Sequence, residues 1–236
     1  MKTDILGINF DVIDLGDCAQ KLIDAIDNDK KIFVVTPNPE IVMLAQNDNE
    51  FKNVLDSADI VIPDGIGIVL ASKLNKIKIK KRVAGYDLVQ KFFSMSKNYK
   101  IYFLGSTSEI IQLAQQNMSK KFPNINIVGV HNGFFDDDTE IIEQINSLKP
   151  DVLLVGMGAP KQEKWIFKYK DQINAKIFIG VGGSFDVMSG KIKRAPVIFQ
   201  KLGLEWFHRL IKQPKRFFRM LALPKFLFAV LLKKIS

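Results

Sequence analysis

The sequence predicts an α/β protein with a doubly wound, Rossmann-like and mostly parallel β-sheet. Short apolar runs alternate with amphipathic segments through most of the chain, which is typical of parallel strands joined by right-handed helical crossovers. The clearest unit has apolar runs at residues 151–155 and 176–181, with an amphipathic segment between them. Both runs are bounded by glycine, which indicates buried parallel strands rather than helices.

The amino-terminal elements follow from the same patterns. Residues 5–13 alternate well enough for a short strand or hairpin, and residues 17–26 carry apolar side chains at helical spacing. Residues 31–36 are the next buried strand. A helix follows this strand, because Pro39 suits a first helical turn and Asn38 can cap it.

The remaining elements continue the alternation. Strands are predicted at residues 60–63, 100–104 and 125–130, and helices at residues 66–74, at residues 84–93 and from near Thr139. The sequence contains no internal repeat, low-complexity tract or Ser/Pro-rich linker. We therefore predict a catalytic core over residues 1–195 and a basic, amphipathic, helical appendage over residues 196–236.

The composition favours a folded cytoplasmic protein. With 236 residues, 47% of them hydrophobic, the chain can bury a substantial core. The amino terminus lacks the apolar core and cleavage site of a secretory signal, so we expect the protein to stay in the cytosol. Cys18 is the only cysteine, which excludes an intrachain disulfide and a cysteine-based zinc site.

The positive charge is concentrated in the tail. Residues 196–236 carry nine Lys and Arg against Glu205 alone, a net charge of +8 out of +9 for the whole chain. This segregation indicates an anionic partner for the tail rather than a generally basic surface. Basic residues interleaved with aromatics could bind RNA, but no recognition motif is present, so we expect no nucleic acid partner.

The apolar part of the tail suits a membrane surface. Residues 220–232 are apolar except for Lys225 and are interrupted by Pro224, well short of the ~20 residues that span a bilayer. Flanking basic residues and interleaved aromatics favour peripheral association with the anionic inner face of the cell membrane. Two alternatives are an ordinary helix packed on the core and the interface of a homo-oligomer.

Polar and glycine residues follow the predicted strands and should converge on one rim. They are Thr36, Asn38, Asp64, Gly105, Ser106, Asn132, Gly158, Gln162, Gly182, Gly183 and Asp186. The ligand crevice of an open parallel sheet lies beyond the carboxyl ends of its strands, where glycine lets backbone amides approach a phosphate. The rim therefore predicts a nucleotide site. Helix capping explains Asn38, Ser106 and Asp186 about equally well, and turn geometry alone can explain the glycines.

Asp64 is the strongest candidate for a catalytic group. It directly follows the predicted strand 60–63, where a partly desolvated carboxylate could act as a general base. An Asp-Gly turn is the competing explanation. The segment Gly156-Met157-Gly158 begins like a dinucleotide fingerprint but lacks the third glycine, so we do not expect an NAD site.

Sequence blocks along nearly the whole chain carry a family resemblance. They are Thr36-Pro37-Asn38-Pro39-Glu40, Pro63-Asp64-Gly65-Ile66-Gly67, Arg82-Val83-Ala84-Gly85-Tyr86-Asp87, Phe103-Leu104-Gly105, Gly133-Phe134-Phe135, Gly156-Met157-Gly158-Ala159-Pro160-Lys161-Gln162-Glu163, Gly180-Val181-Gly182-Gly183-Ser184-Phe185-Asp186, Gly190, Arg194-Ala195-Pro196 and Leu202-Gly203-Leu204-Glu205-Trp206. In this order they resemble the bacterial WecG/TagA/CpsF glycosyltransferases, which include N-acetylmannosaminyltransferases of wall teichoic acid synthesis.

The resemblance implies a reaction and a set of site residues. The reaction is inverting transfer of an N-acetylmannosamine-type sugar from a UDP donor to the 4-hydroxyl of GlcNAc on an undecaprenyl diphosphate carrier. Asp64 matches the proposed base of the family. The positions that match site-lining residues are Thr36, Asn38, Arg82 and Gln162, and those that match tail arginines are Arg209, Arg216 and Arg219. Transfer of another UDP-sugar, of the glucose or ManNAc uronic acid type, and a non-catalytic membrane adaptor remain alternatives.

The residues fit this chemistry without a cofactor. An inverting transfer needs a base for the acceptor hydroxyl and stabilisation of the departing UDP, which arginines could supply together with Arg82 and Lys161 of the core. Residues 136–138 contain the Asp-x-Asp pattern that binds a metal in many glycosyltransferases. This run directly precedes a predicted helix, where acidic residues favour the helix dipole, so we predict capping and no obligatory metal.

Overall fold

A computed structural model describes residues 1–212 and 217–235 of the chain. An amino-terminal antiparallel hairpin joins β1 (Lys2–Ile5) to β2 (Ile8–Asp11). The main sheet of the described residues is built from β3 (Ile32–Val35), β4 (Ile60–Val61), β5 (Lys100–Gly105), β6 (Asn126–His131), β7 (Val152–Gly156) and β8 (Ile177–Gly180). The strand order is β4-β3-β8-β7-β5-β6, and all neighbours are parallel. The predicted parallel α/β sheet is confirmed.

Helices connect the strands and continue into the tail. The helices of the described residues are α1 (Leu15–Asp27), α2 (Pro39–Gln46), α3 (Asn49–Asp56), α4 (Ile66–Ser72), α5 (Gly85–Met95), α6 (Ser108–Lys121), α7 (Asp138–Leu148), α8 (Lys161–Tyr169), α9 (Ser184–Met188), α10 (Val197–Lys201), α11 (Glu205–Lys212), α12 (Phe217–Met220) and α13 (Ala222–Ile235). The sequence patterns did not predict α3. It begins where the side chain of Asp48 accepts a hydrogen bond from the backbone N–H of Phe51.

Apolar side chains cover both faces of the sheet. Phe33 and Val35 belong to one hydrophobic cluster, whereas Val34 between them belongs to the other, because successive strand side chains point to opposite faces. Helices α1 and α5 pack together on the face of Val34, and α2, α3 and α8 supply residues to the opposite cluster. The sheet is therefore doubly wound, as predicted.

The last helix packs on the core. Helix α13 lies against α2, and its Phe226 is fully buried in the same cluster as Phe33. Lys233 Nζ also lies 2.7 Å from Asp4 Oδ1 in the amino-terminal hairpin. The apolar segment 220–232 is divided between two helices, because α12 ends at Met220 and α13 begins at Ala222. Pro224 lies in the first turn of α13, where its missing N–H has no helical partner to lose. The division of the chain at residue 195 stays a prediction.

Candidate active site

A cleft of about 650 Å³ opens at the carboxyl ends of the central strands. Thr36 follows β3, Asp64 follows β4, Gly158 follows β7 and Gly182 follows β8, so the parallel sheet brings these loops together. The predicted site residues that line the cleft are Thr36, Asn38, Asp64, Arg82, Ser106, Gly158, Lys161, Gln162, Gly182, Gly183, Asp186 and Arg219.

Asp64 is half-buried where β4 turns towards α4. The backbone N–H of Gly85, the first residue of α5, donates to Asp64 Oδ2 at 3.4 Å. The backbone N–H of Asp64 itself donates to the carbonyl of Pro37 at 3.2 Å. Asp64 therefore sits between the loops after β3 and β4, with its carboxylate near a helix amino terminus, which favours negative charge.

Thr36 and Asn38 hold the loop after β3. Thr36 Oγ1 donates to the carbonyl oxygen of Gly180 at 3.4 Å, which links the ends of β3 and β8. Asn38 Oδ1 accepts from the backbone N–H of Ile41 at 3.0 Å and caps α2. The capping prediction for Asn38 is confirmed. Because the cap uses the side-chain oxygen, the amide nitrogen is the group that Asn38 could offer to a ligand.

Gln162 ties two glycine loops together. Its Oε1 accepts from the backbone N–H of Gly158 at 3.2 Å and of Gly182 at 3.0 Å. Its Nε2 donates to Glu163 Oε1 at 2.7 Å. Glu163 is fully buried, and burial raises the pKa of its carboxyl group. The expectation that these glycine amides face a phosphate is not met, because both N–H groups are already satisfied by Gln162.

Lys161, Ser106 and Asp186 lie at other parts of the wall. Lys161 Nζ donates to the carbonyl oxygen of Gly133 at 3.4 Å and lies 5.9 Å from the centre of the Phe135 ring. Ser106 adopts a φ of 56°, and its backbone carbonyl accepts from the N–H of Gly133 at 2.9 Å. Asp186 lies in α9 beside Gly183, and both residues line the cleft. Ser106 does not cap α6, because Thr107 occupies that position, and Asp186 lies in the first turn of α9.

Two predicted binding residues do not line the cleft. Gly105 packs against β7 so closely that a Cβ on it would overlap the carbonyl of Gly156. Asn132 Oδ1 accepts from the backbone N–H of Phe134 at 2.8 Å, which fixes the turn of the neighbouring loop. The structure therefore gives both residues a role in shaping loops that border the cleft.

An ion-pair network, which the residues after the strands did not predict, forms one wall of the cleft. Arg194 donates through Nη1 and Nη2 to the two carboxylate oxygens of Asp87, and through Nε to Glu205 Oε1 at 3.0 Å. Glu205 Oε2 pairs with Arg82 Nη2, and the Arg194 guanidinium lies 4.9 Å from the centre of the Tyr86 ring. The signal was in the sequence, because all five residues belong to the family blocks.

Two of the tail arginines, Arg209 and Arg219, belong to separate helices. Arg219, in α12, lines the cleft, and its Nε donates to Glu40 Oε1 at 2.6 Å. Arg209 belongs to α11, but its side chain is outside the described part of the structure. Arg216 and Pro214, where a new helix was predicted to start, both lie outside the described residues. The expectation that these arginines share one face is therefore not tested.

The acidic run 136–138 has structural partners. Asp137 Oδ1 accepts from the backbone N–H of Thr139 and caps α7, which confirms the capping prediction. The two oxygens of Asp138 accept from Trp165 Nε1 at 2.7 Å and from the Tyr169 hydroxyl at 2.6 Å. Among residues 1–212 and 217–235, no group of three or more His, Cys, Asp or Glu side chains could hold a metal ion. Over the same residues, no helix has the length and apolar character needed to cross a membrane.

The fold and the cleft define a Rossmann-like α/β protein with a polar site that is lined by a carboxylate and several cationic side chains. The sequence profile of the Glycosyl transferase WecG/TagA/CpsF family matches residues 3–236, so the chain belongs to this family. It is a glycosyltransferase, and the resemblance carried by the sequence blocks is confirmed.

The chain is similar to transferases from two bacterial genera. The chain is 40% identical over 207 residues to the N-acetylglucosaminyldiphosphoundecaprenol N-acetyl-beta-D-mannosaminyltransferase of Bacillus subtilis (strain 168), which covers 86% of this chain and 81% of the relative. It is 35% identical over 234 residues to the protein of the same name from Staphylococcus aureus (strain MW2), with 97% and 92% of the two chains covered.

Proposed function

We propose that this enzyme transfers N-acetylmannosamine, or a related hexosamine, from a UDP donor to the 4-hydroxyl of GlcNAc on an undecaprenyl diphosphate carrier, with inversion. The names of relatives at 35–40% identity support the lipid-linked acceptor and the mannosaminyl group. Synthesis of wall teichoic acid or another surface polysaccharide would use such a product. The observation that carries the proposal is the Asp64 carboxylate in the cleft of a member of this family.

Asp64 is the proposed general base. It lines the cleft while half-buried, and the hydrogen bond from the Gly85 N–H at 3.4 Å orients its carboxylate. The acceptor hydroxyl attacks the anomeric carbon as its proton passes to Asp64. The bond from that carbon to the UDP oxygen breaks, and UDP leaves with the electron pair on the face opposite the attack. Thr36 and Asn38 position this part of the site.

Cationic side chains are proposed to stabilise the departing UDP. Arg82, Lys161 and Arg219 all line the cleft, from three different segments of the chain. Positive groups placed where negative charge develops lower the barrier most effectively in a site that excludes water. We therefore propose that the reaction needs no metal ion, and that Arg209 and Arg216 add to this set.

The tail is proposed to bring the cleft to the membrane. Exposed apolar side chains of α11 to α13 include Phe207, Ile211, Phe217, Leu221, Phe228, Leu231 and Leu232. Together with the net charge of +8 in residues 196–236, they suit the surface of an anionic leaflet on the cytoplasmic side. Because Arg219 lies both in the tail and at the cleft, seating the tail on the membrane would complete the site where the lipid-linked acceptor arrives.

One incubation tests the function. The purified protein is given a panel of UDP-sugars, with UDP-ManNAc, UDP-GlcNAc, UDP-glucose and UDP-ManNAc uronic acid, and a short-chain lipid diphosphate that carries GlcNAc. We expect a disaccharide product only with the ManNAc donor, and NMR of the new linkage reports whether the anomeric configuration is inverted. Product from a different donor would change the sugar and keep the reaction class. Tight UDP-sugar binding without product from any donor would instead support a membrane adaptor.

A further inference from the structure

The carboxylate of Glu205 stands between two guanidinium groups in the wall of the cleft. Oε1 accepts from Arg194 Nε at 3.0 Å, and Oε2 pairs with Arg82 Nη2. The exposed fractions of the Glu205, Arg82 and Arg194 side chains are 13%, 19% and 20%, so water screens these pairs only partly. Arg82 lies in the loop before α5, Arg194 lies in the loop after α9, and Glu205 is in the first turn of the tail helix α11.

All three nitrogens of the Arg194 guanidinium donate to protein partners. Both terminal nitrogens donate to Asp87, Nε donates to Glu205, and the planar group lies over the ring of Tyr86. A guanidinium has five N–H donors in a fixed fork, and this arrangement directs the fork into the wall. Arg194 therefore links the wall of the cleft to the first turn of α11, and its three hydrogen bonds fix the guanidinium against that wall.

Arg82 has a different set of contacts. Within the described part of the chain, the structure gives it one ion pair, to Glu205. Its side chain lines the cleft, so the guanidinium keeps N–H donors for a ligand while Nη2 pairs with Glu205. A long arginine side chain loses considerable rotamer freedom when it binds, and a fixed carboxylate partner removes part of that cost in advance.

The charge of Glu205 favours this arrangement. Two guanidinium groups on one wall repel each other, and a carboxylate shared between them allows both to remain there. Burial alone would raise the pKa of Glu205, but the hydrogen bond from Arg194 and the charges of Arg82 and Arg194 outweigh it and lower the pKa. Glu205 is therefore ionised at neutral pH.

We propose that Glu205 is a positioning residue for sugar transfer: it fixes Arg82 for an anionic diphosphate and thereby couples the seating of α11 to the shape of the cleft. This inference rests on the proposed function, because a diphosphate is the ligand that Arg82 would meet there. The tail then contributes to the site through a carboxylate as well as through its arginines.

The variant Glu205→Gln, which keeps the shape of the side chain and removes its charge, tests the proposal. We expect the kcat at saturating donor to fall about 10- to 100-fold, as expected when a reacting group is misplaced by about an ångström. The double variant with Arg82→Ala should be no slower than Arg82→Ala alone, because the two residues act in series. Amide hydrogen exchange in α11 should rise in Glu205→Gln, while exchange in α1 stays unchanged.

A matched control separates this role from the general loss of an ion pair. Glu50→Gln removes a carboxylate that pairs with Lys164 at the surface, and it should leave both kcat and the exchange of α11 unchanged. If Glu205→Gln does not fold, Glu205→Asp keeps the charge but shortens the reach, and should give a smaller loss of the same kind.

Four results overturn the proposal. Two concern the kcat of Glu205→Gln: a value equal to that of the wild type, or a higher value, which would make Glu205 a competitor of the diphosphate. The other two are independent losses in the double variant and unchanged hydrogen exchange in α11. Hydrogen exchange needs no substrate. A wild-type enzyme that transfers no sugar therefore counts against the proposed function, while the exchange result still decides whether Glu205 seats the tail.

Discussion

The side chain of Gln162 is held by its neighbour Glu163, whose buried carboxyl oxygen accepts from Gln162 Nε2 at 2.7 Å. This contact determines which end of the amide faces the cleft loops. The oxygen then accepts from the N–H groups of Gly158 and Gly182, at the ends of two neighbouring strands. Glu163, which does not line the cleft, therefore orients Gln162 and through it sets the geometry of two loops that do.

Glu163 should make the stability of the protein depend on pH. Burial raises the pKa of its carboxyl group above the ordinary value of 4.5, so the stability that the neutral form contributes is complete below about pH 4.5. This contribution is lost as the pH rises towards the raised pKa, because the unfolded chain ionises first. The wild type should therefore lose stability relative to Glu163→Gln as the pH rises over that range. The difference between their free energies of unfolding should change by up to about 1.4 kcal/mol per pH unit.

Denaturant titrations between pH 4 and pH 8 measure this difference. Glu143→Gln, which removes an exposed carboxylate from α7, is the control and should follow the wild type at every pH. A constant difference between Glu163→Gln and the wild type across the range would show that Glu163 has the same pKa in both states.

Two phenylalanines of α13 should differ strongly in their contribution to stability. Phe226 is fully buried, so Phe226→Ala should lower the free energy of unfolding by about 3–5 kcal/mol. Phe228 is 64% exposed, so Phe228→Ala should change it by less than about 0.5 kcal/mol. Chemical denaturation measures both. A mild Phe226→Ala would mean that α13 contributes little to the fold and that the tail is a separable appendage after residue 195.

Exposed apolar residues of α13 test the membrane anchor. Phe228→Ser with Leu231→Ser removes two exposed apolar side chains and should reduce sedimentation with anionic liposomes while the fold is retained. Liposomes of neutral lipid should bind the wild type less than anionic ones, because basic residues of the tail favour a negative surface. A wild-type protein that does not discriminate between the two lipids would contradict the anchor.

Chelation should not stop the reaction. The cations proposed to stabilise UDP are Arg82, Lys161 and Arg219, so transfer should continue in EDTA at a rate close to that without it. The assay is product formation after removal of divalent ions, with Mg²⁺ or Mn²⁺ restored in a parallel sample. Strict dependence on either ion would reverse the assignment of Asp137 and Asp138 as structural residues.

The sequence predicted the parts of the fold that depend on local patterns. Apolar runs ending in glycine located β7 and β8, and Asn38 and Asp137 cap helices as predicted. The contacts of Gln162 were not predictable, because Gly158 and Gly182 become neighbours only when β7 and β8 pair. The network of Arg82, Arg194 and Glu205 joins segments that are far apart in the chain, so no local spacing reports it.

The variant Asp64→Asn tests the central claim most directly. Its rate constant for sugar transfer, measured in single turnovers at saturating UDP-ManNAc and lipid-linked GlcNAc, should fall by a factor of about 10² to 10⁴ relative to the wild type. The dissociation constant for the donor, measured by calorimetry, should stay within about threefold, because the amide preserves the shape of the side chain. Turnover close to that of the wild type, with the donor bound normally, would contradict the assignment of Asp64 as the base.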